Sequence, residues 1–345
     1  MDEIINLRHE VDKIDREFIK LLIERKEISD KIIKFKRKMN ISVYDKRREL
    51  EIITALKTEF QELINPQLIE NILKEVLFYS KSDNNRLSKS ISNRLMDALE
   101  DKPILIAGPC SVESEFQLDE IAESLAKGGF RFLRGGAFKP RTSPYSFQGL
   151  EGEGVKILKR IADKHKLFVV TEFTDSNQLD EYYDFADIIQ IGSRNMFSYG
   201  FLKQVGKKTS KDKKPILLKR SFNATINEFL LAAEYLLSEG NENILLCLRG
   251  IRTFEQIDSM MRNTPDLGAI LELKELTDMK VIFDPSHASG DSKYVLSLSK
   301  AALQLGADGL LIETHPNPYE AVSDGKQSIQ PIELMRLIDF VNRLV

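Results

Sequence analysis

The stretch KPILIAGPCSVES, residues 102–114, opens the pattern that decides the fold. Its apolar run 104–107 is too short for a helix. Gly108 and Pro109 close it, so it reads as a buried strand ending in a loop that presents Cys110. The same unit recurs along the chain. Further apolar runs lie at 130–133, 168–171, 188–191, 216–218, 244–248, 281–283 and 309–312. Most lead into an amphipathic helical stretch, such as 226–238 or 293–306. Near-continuous apolar strands alternating with helices describe a parallel sheet covered on its outer side. Eight such units over residues 101–345 predict a closed (β/α)8 TIM barrel. A doubly wound open sheet would gather its polar ligand residues at one crevice, whereas here polar clusters follow nearly every run.

Upstream the period changes. Ile4, Leu7, Val11, Ile14, Phe18, Leu21, Arg25, Ile28, Ile32, Phe35 and Met39 alternate spacings of three and four. This heptad stripe predicts one long helix that needs partners, with Arg25 as its one charged member. A second helix is expected from a capping-box pattern near Ser42 to about Phe60, and a third from Asn65-Pro66 to about Ser80. The polar run KSDNNRLSKSISN follows and reads as linker. The expected organisation is an all-α domain over 1–84, a linker over 85–100 and the barrel over 101–345.

The whole chain has 345 residues, a net charge of −3 and only two cysteines, Cys110 and Cys247. Near-neutral charge gives no drive toward nucleic acid or anionic membrane. No apolar run is long enough to span a bilayer, and the charged start MDEIINLRHE does not read as a signal peptide. Two cysteines make no disulfide framework, so a cytoplasmic location is expected.

In a barrel the residues just after each strand share one rim. Two groups emerge there. Cys110, His287, Glu313 and Asp324 offer a thiolate, an imidazole and two carboxylates, a donor set suited to a divalent transition metal. Arg134, Lys139, Arg141, Arg194, Lys219 and Arg249 sit singly behind apolar strands, where like charges repel unless an anion joins them. That group points to one or two phosphates, with Glu172 balancing charge or handling a proton.

The segments IAGPCSVES, LRGGAFKPRTSPYSFQGL, IGSRN, LLKR, LRGIRTFE, DPSHASG and SDGKQS resemble those of the 3-deoxy-D-arabino-heptulosonate-7-phosphate (DAHP) synthases, short branch, over residues 92–345. The resemblance implies condensation of phosphoenolpyruvate with erythrose 4-phosphate, the entry step of the shikimate pathway. It implies Cys110, His287, Glu313 and Asp324 as metal ligands, with manganese expected ahead of iron, cobalt or zinc. Phosphoenolpyruvate would be held by Arg134, Lys139, Glu172, Ser193, Arg194, Lys219 and Arg249. Erythrose 4-phosphate would be held by Arg141, Thr142 and Asp284. Cys110, Lys139, Lys219 and His287 are the expected catalytic residues. The alternatives are a related phosphoenolpyruvate-condensing barrel or a Schiff-base aldolase using Lys219.

The pattern LRHEVDKID, LLIERKEI, KFK and VYDKRRE resembles the all-helical chorismate mutases over residues 1–84. This implies Arg8, Arg25, Lys36, Asp45, Arg48, Glu49 and Asn84 around chorismate or prephenate, with Asn84 where the family usually has Gln or Glu. The domain is expected to turn chorismate into prephenate, to sense either compound for feedback inhibition, or both. A homo-oligomer is expected, dimeric through the helices and tetrameric through the barrels.

Overall fold

The computed structural model describes residues 2–39, 46–81, 91–139, 145–254 and 263–341. The chain divides into two compact units, Met1–Ser92 and Asn93–Val345.

The first unit is helical. Helix α1 spans Asp2–Lys38, α2 spans Lys46–Phe60 and α3 spans Pro66–Lys81. Asn65 caps α3, its Oδ1 accepting the Gln67 N–H at 2.8 Å, and Pro66 opens the helix where no N–H is needed. Helix α3 packs against both α1 and α2. Among the described residues, Ile69 and Leu77 are the buried apolar side chains of α1–α3. The described apolar members of the heptad stripe stay open to solvent, from 49% exposed at Phe18 to 71% at Met39.

Helix α4, Ile91–Glu100, stands where the sequence reads as linker up to residue 100. The serine- and asparagine-rich start hides an amphipathic segment. Leu95, Ala98 and Leu99 share one face and are buried with Ile104, Phe132, Leu217, Leu245 and Leu311. The Leu99 carbonyl accepts from Lys280 Nζ at 2.7 Å, so α4 lies across the strand starts and closes that mouth of the barrel.

Eight strands follow: β1 Ile104–Gly108, β2 Phe132–Arg134, β3 Phe168–Glu172, β4 Ile188–Ile191, β5 Ile216–Lys219, β6 Ile244–Leu248, β7 Lys280–Phe283 and β8 Gly309–Glu313. All neighbours pair in parallel, and β1 pairs with β8 from Ile104↔Gly309 to Gly108↔Glu313, so the barrel closes. The surrounding helices include α5 Glu115–Lys127, α6 Glu151–His165, α7 Ser176–Tyr182, α8 Tyr199–Thr209, α9 Ile226–Leu237, α10 Gly268–Leu276, α11 Pro285–Ser289, α12 Ser292–Gln304 and α13 Pro331–Val341. The strand alternation divides the core. Ile106, Phe132, Val170, Ile188, Leu217, Cys247, Ile282 and Leu311 form the inner cluster. Their neighbours Ala107, Leu133, Val169, Ile189, Leu218, Leu246, Val281 and Leu310 belong to the outer cluster with the helices.

Candidate active site

In seven of the eight strands the inner column runs on by two residues into a polar one; in β1 it runs from Ile106 to Gly108. Phe132 leads to Arg134, Val170 to Glu172, Ile188 to Gln190, Leu217 to Lys219, Cys247 to Arg249, Ile282 to Asp284 and Leu311 to Glu313. Period-two alternation thus aims one charged or amide group from each of these seven strands into the same mouth. Arg134, Glu172, Lys219 and Glu313 are the last residues of their strands rather than loop residues, which gives them rigid bases.

Cys110 follows Gly108, whose φ is 151° and where a Cβ would lie 2.0 Å from the Arg134 carbonyl oxygen. Only glycine fits that approach of β1 to β2. Cys110 Sγ lies 3.3 Å from Asp324 Oδ2 and 3.1 Å from Lys139 Nζ. Cys110, Glu313 and Asp324 place one donor atom each within 4.8 Å of one another. His287 does not join this group within the same reach. Its Nε2 is 3.7 Å from Glu313 Oε1, and its Nδ1 lies 2.8 Å from Asp284 Oδ2.

Glu313 is fully buried. Its Oε1 accepts from Arg134 Nη1 at 2.7 Å and its Oε2 from Gln327 Nε2 at 2.6 Å. Burial works against its charge, but His287 and Arg134 outweigh burial and hold the carboxyl below its usual range. Burial and the Glu313 charge push the Cys110 thiol up to about 11. A soft sulfur and two carboxylate oxygens, one of them ionised against burial, fit a divalent transition metal.

Asp284 is assigned by the resemblance to erythrose 4-phosphate. It does not line the cavity; it is fully buried, and its Oδ2 pairs with both Lys219 Nζ and His287 Nδ1. Its Oδ1 accepts the His287 N–H at 2.9 Å and caps α11. Burial opposes its charge, yet His287 and Lys219 hold its carboxyl well below the usual range.

Beside the donor group lies a cavity of about 210 Å³ lined by Arg134, Lys139, Glu172, Gln190, Gly192, Ser193, Arg194, Lys219, Phe222, Arg249, Arg252, Asn263, His287 and Asp324. Burial pushes the Arg249 guanidinium down, and its Nε is buried without a hydrogen-bond partner. Glu172 Oε2 accepts from Gln190 at 3.1 Å. A Cβ on Gly192 would lie 1.9 Å from Glu172 Oε1, so glycine there makes room for this carboxylate.

The structure therefore brings Arg134, Lys139, Glu172, Ser193, Arg194, Lys219 and Arg249 to one cavity. Arg141 and Thr142 lie outside the described residues, as do Asp45 and Asn84. The Glu49 side chain is likewise outside the description. In the helical unit Arg25 and Lys36 are half-buried on α1, while Arg8 on α1 and Arg48 on α2 are exposed. Reading the sequence missed Gln190, Phe222, Arg252 and Asn263 in the cavity, and Gln327 against Glu313. Gln190 had a signal: it interrupts the apolar run of β4 at an inward position. Phe222, Arg252 and Asn263 sit on loops and Gln327 on a single 3-10 turn, where strand alternation gives no direction.

The DAHP synthetase I family matches residues 87–344, and chorismate mutase type II matches residues 7–83. A Thermotoga maritima phospho-2-dehydro-3-deoxyheptonate aldolase is 48% identical over 225 residues, covering 65% of this chain and 64% of that protein. The chain thus spans slightly less than two thirds of that relative. A Francisella tularensis 2-dehydro-3-deoxyphosphooctonate aldolase is 30% identical over 259 residues, covering 70% of this chain and 90% of that protein. The crystal structure of the T. maritima DAHP synthase matches with a TM-score of 0.66 at 45% identity, over 70% of this chain and 68% of that one. A truncated form of the same enzyme gives 0.63 at 43% identity, over 70% and 85%. Because the family match takes in the whole barrel and most of the chain, this protein belongs to the DAHP synthetase I family.

Proposed function

We propose that the barrel condenses phosphoenolpyruvate with erythrose 4-phosphate to DAHP. The observation that carries this reading is the adjacency of a sulfur–carboxylate donor group to a cavity lined by Arg134, Lys139, Arg194, Lys219, Arg249 and Arg252. Cys110, Glu313 and Asp324, with His287 beside them, would hold a divalent transition metal that supplies a Lewis acid for the aldehyde oxygen. Arg194, Arg249 and Lys219 take the phosphate and carboxylate of phosphoenolpyruvate and keep C3 turned toward the aldehyde. Arg249 lines the cavity, and its Nε is a buried donor with no hydrogen-bond partner. Lys139 Nζ stands between the donor group and the cavity, placed to give a proton to the oxygen that gains charge as C3 attacks. Water then adds at C2 and phosphate leaves, with Glu172 the cavity carboxylate available to orient that water. A Schiff-base route through Lys219 needs a neutral amine; its ion pair with Asp284 argues against that.

The test is one assay with two aldoses. Erythrose 4-phosphate should be consumed with phosphoenolpyruvate, and a five-carbon aldose phosphate should not. A chelator should stop the reaction and Mn2+ should restore it. Turnover of the five-carbon aldose alone would move the chain to the octonate branch, and full activity in metal-free protein would remove the metal.

We further infer that the helical unit converts chorismate to prephenate and that either compound, bound there, lowers condensation by the barrel. The chorismate mutase match over 7–83 and the cations Arg8, Arg25, Lys36 and Arg48 support it. Coupling of this kind is typically about 1–3 kcal/mol. Arg25→Ala should abolish chorismate turnover and the inhibition while sparing condensation; inhibition like wild type in a folded variant would place the effector elsewhere.

A further inference from the structure

We infer that Glu113 and His315 form a clasp that sets the spacing of two proposed metal ligands, Cys110 and Asp324; the inference rests on the metal reading above. Neither residue lines the cavity or belongs to the donor group. Glu113 lies three residues after Cys110 on the loop leaving β1. Its Oε1 accepts the Val322 N–H at 2.9 Å, two residues before Asp324 on the loop leaving β8. Its Oε2 lies 3.3 Å from Nε2 of His315, which is 7% exposed. The other ring nitrogen, Nδ1, accepts the Asn317 N–H at 3.0 Å. A ring nitrogen that accepts carries no proton, so a neutral His315 keeps its proton on Nε2 and donates it to Glu113. One carboxylate thus joins the base and the far limb of the β8 loop to the β1 loop.

The loop needs such a tie. Its base is fixed by the His315 N–H to the Ile329 carbonyl and the Ile329 N–H to the Glu313 carbonyl, each at 3.0 Å. Between these anchors Asp324 adopts φ 51°, a left-handed conformation that a non-glycine residue holds only when its surroundings enforce it. The clasp adds to that enforcement, beside the Ser111–Ser323 hydroxyl pair that joins the same two loops, and helps to keep Asp324 Oδ2 at 3.3 Å from Cys110 Sγ. Ordering done in advance is ordering that metal binding need not do. Partners behind metal ligands typically change affinity by about tenfold to a hundredfold.

The experiment titrates metal-free full-length chain with Mn2+, reading the free ion by its electron paramagnetic resonance signal. Phosphoenolpyruvate binding to the same metal-free samples is measured in parallel. Glu113→Ala and His315→Ala should each weaken Mn2+ binding on the order of tenfold or more, with phosphoenolpyruvate binding unchanged. His315→Gln should stay within about threefold of wild type, because its amide can both accept from Asn317 and donate to Glu113. Should the alanine variants fail to fold, Glu113→Gln takes their place. It keeps an acceptor for Val322 but turns an NH2 group toward the His315 N–H, so it should also weaken Mn2+ binding. Unchanged Mn2+ affinity in these variants overturns the clasp. Equal loss of Mn2+ and phosphoenolpyruvate binding overturns it too, since that marks a general loosening of the rim. A wild-type chain that binds no Mn2+ sinks the metal reading first and the clasp with it.

Discussion

Arg249 and Gly192 show how differently two cavity residues matter. Arg249 holds its charge against burial with an unpartnered Nε. Truncation to alanine removes a charge-assisted bond of about 1.5–3 kcal/mol to the bound anion. Steady-state kinetics of Arg249→Ala should show kcat/KM for phosphoenolpyruvate down about tenfold or more, and wild-type kinetics would take Arg249 out of the site. Gly192 contributes only space. Its alanine methyl would meet Glu172 Oε1 at 1.9 Å and displace that carboxylate. Activity of Gly192→Ala should fall on the order of tenfold, with melting little changed, because its backbone is extended and unstrained. Gly200 is the control: a Cβ there meets nothing within 4 Å, and it lies in α8. Gly200→Ala should be fully active and no less stable, since alanine favours a helix by up to about 1 kcal/mol over glycine. Equal loss in both variants would contradict the steric account.

Helix α4 was hidden in sequence by its polar neighbours, yet it seals the barrel. Leu99 is 3% exposed and packs beneath the strand starts, at the mouth opposite the donor group. Leu99→Ala should cost about 2–5 kcal/mol by leaving a cavity in a tightly filled core. The condensation rate measured well below the melting temperature should stay at the wild-type value. A variant that melts normally would show that α4 is only draped on the barrel; one that stays folded but loses activity would couple this mouth to the site. The strands themselves were legible because parallel strands buried on both faces read as unbroken apolar runs. Their ends were not: Arg134, Glu172, Lys219 and Glu313 read as the start of loops and are the last rungs of the ladder. Charge at a strand end is ambiguous in one dimension, and neighbouring strands decide whether the ladder continues.

At the level of the molecule, the described residues of α1–α3 bury only Ile69 and Leu77 among their apolar side chains. Leu7, Val11, Ile14, Phe18, Leu21, Ile28, Ile32 and Phe35 along α1, and Met39 just after it, are each 49–71% exposed. A heptad stripe of that length fits the same stripe of a second copy. Sedimentation equilibrium of the full chain should give a multimer, and Leu21→Asp should lower its mass by putting a charge into the seam. An unchanged mass would assign the stripe another partner. No described helix is long and apolar enough to cross a membrane, so that stripe does not mark a span.

The local order of this protein follows from its chain alone. Eight apolar runs, the heptad stripe, and the Cys110, Lys139 and His287 motifs are short-range patterns, and short-range sterics and hydrophobic periodicity make them readable. Which donor meets which charge is a long-range matter. Asp284, which the resemblance gives to a sugar phosphate, is set by barrel closure beside Lys219, 65 residues before it, and the nearby His287. Glu113 stands in the opening GPCSVES stretch, but nothing there tied it to His315, 202 residues away; the two meet only where β8 pairs with β1. Pairing across the closing seam is set by the free energy of the whole barrel, and no segment of the sequence holds that information by itself.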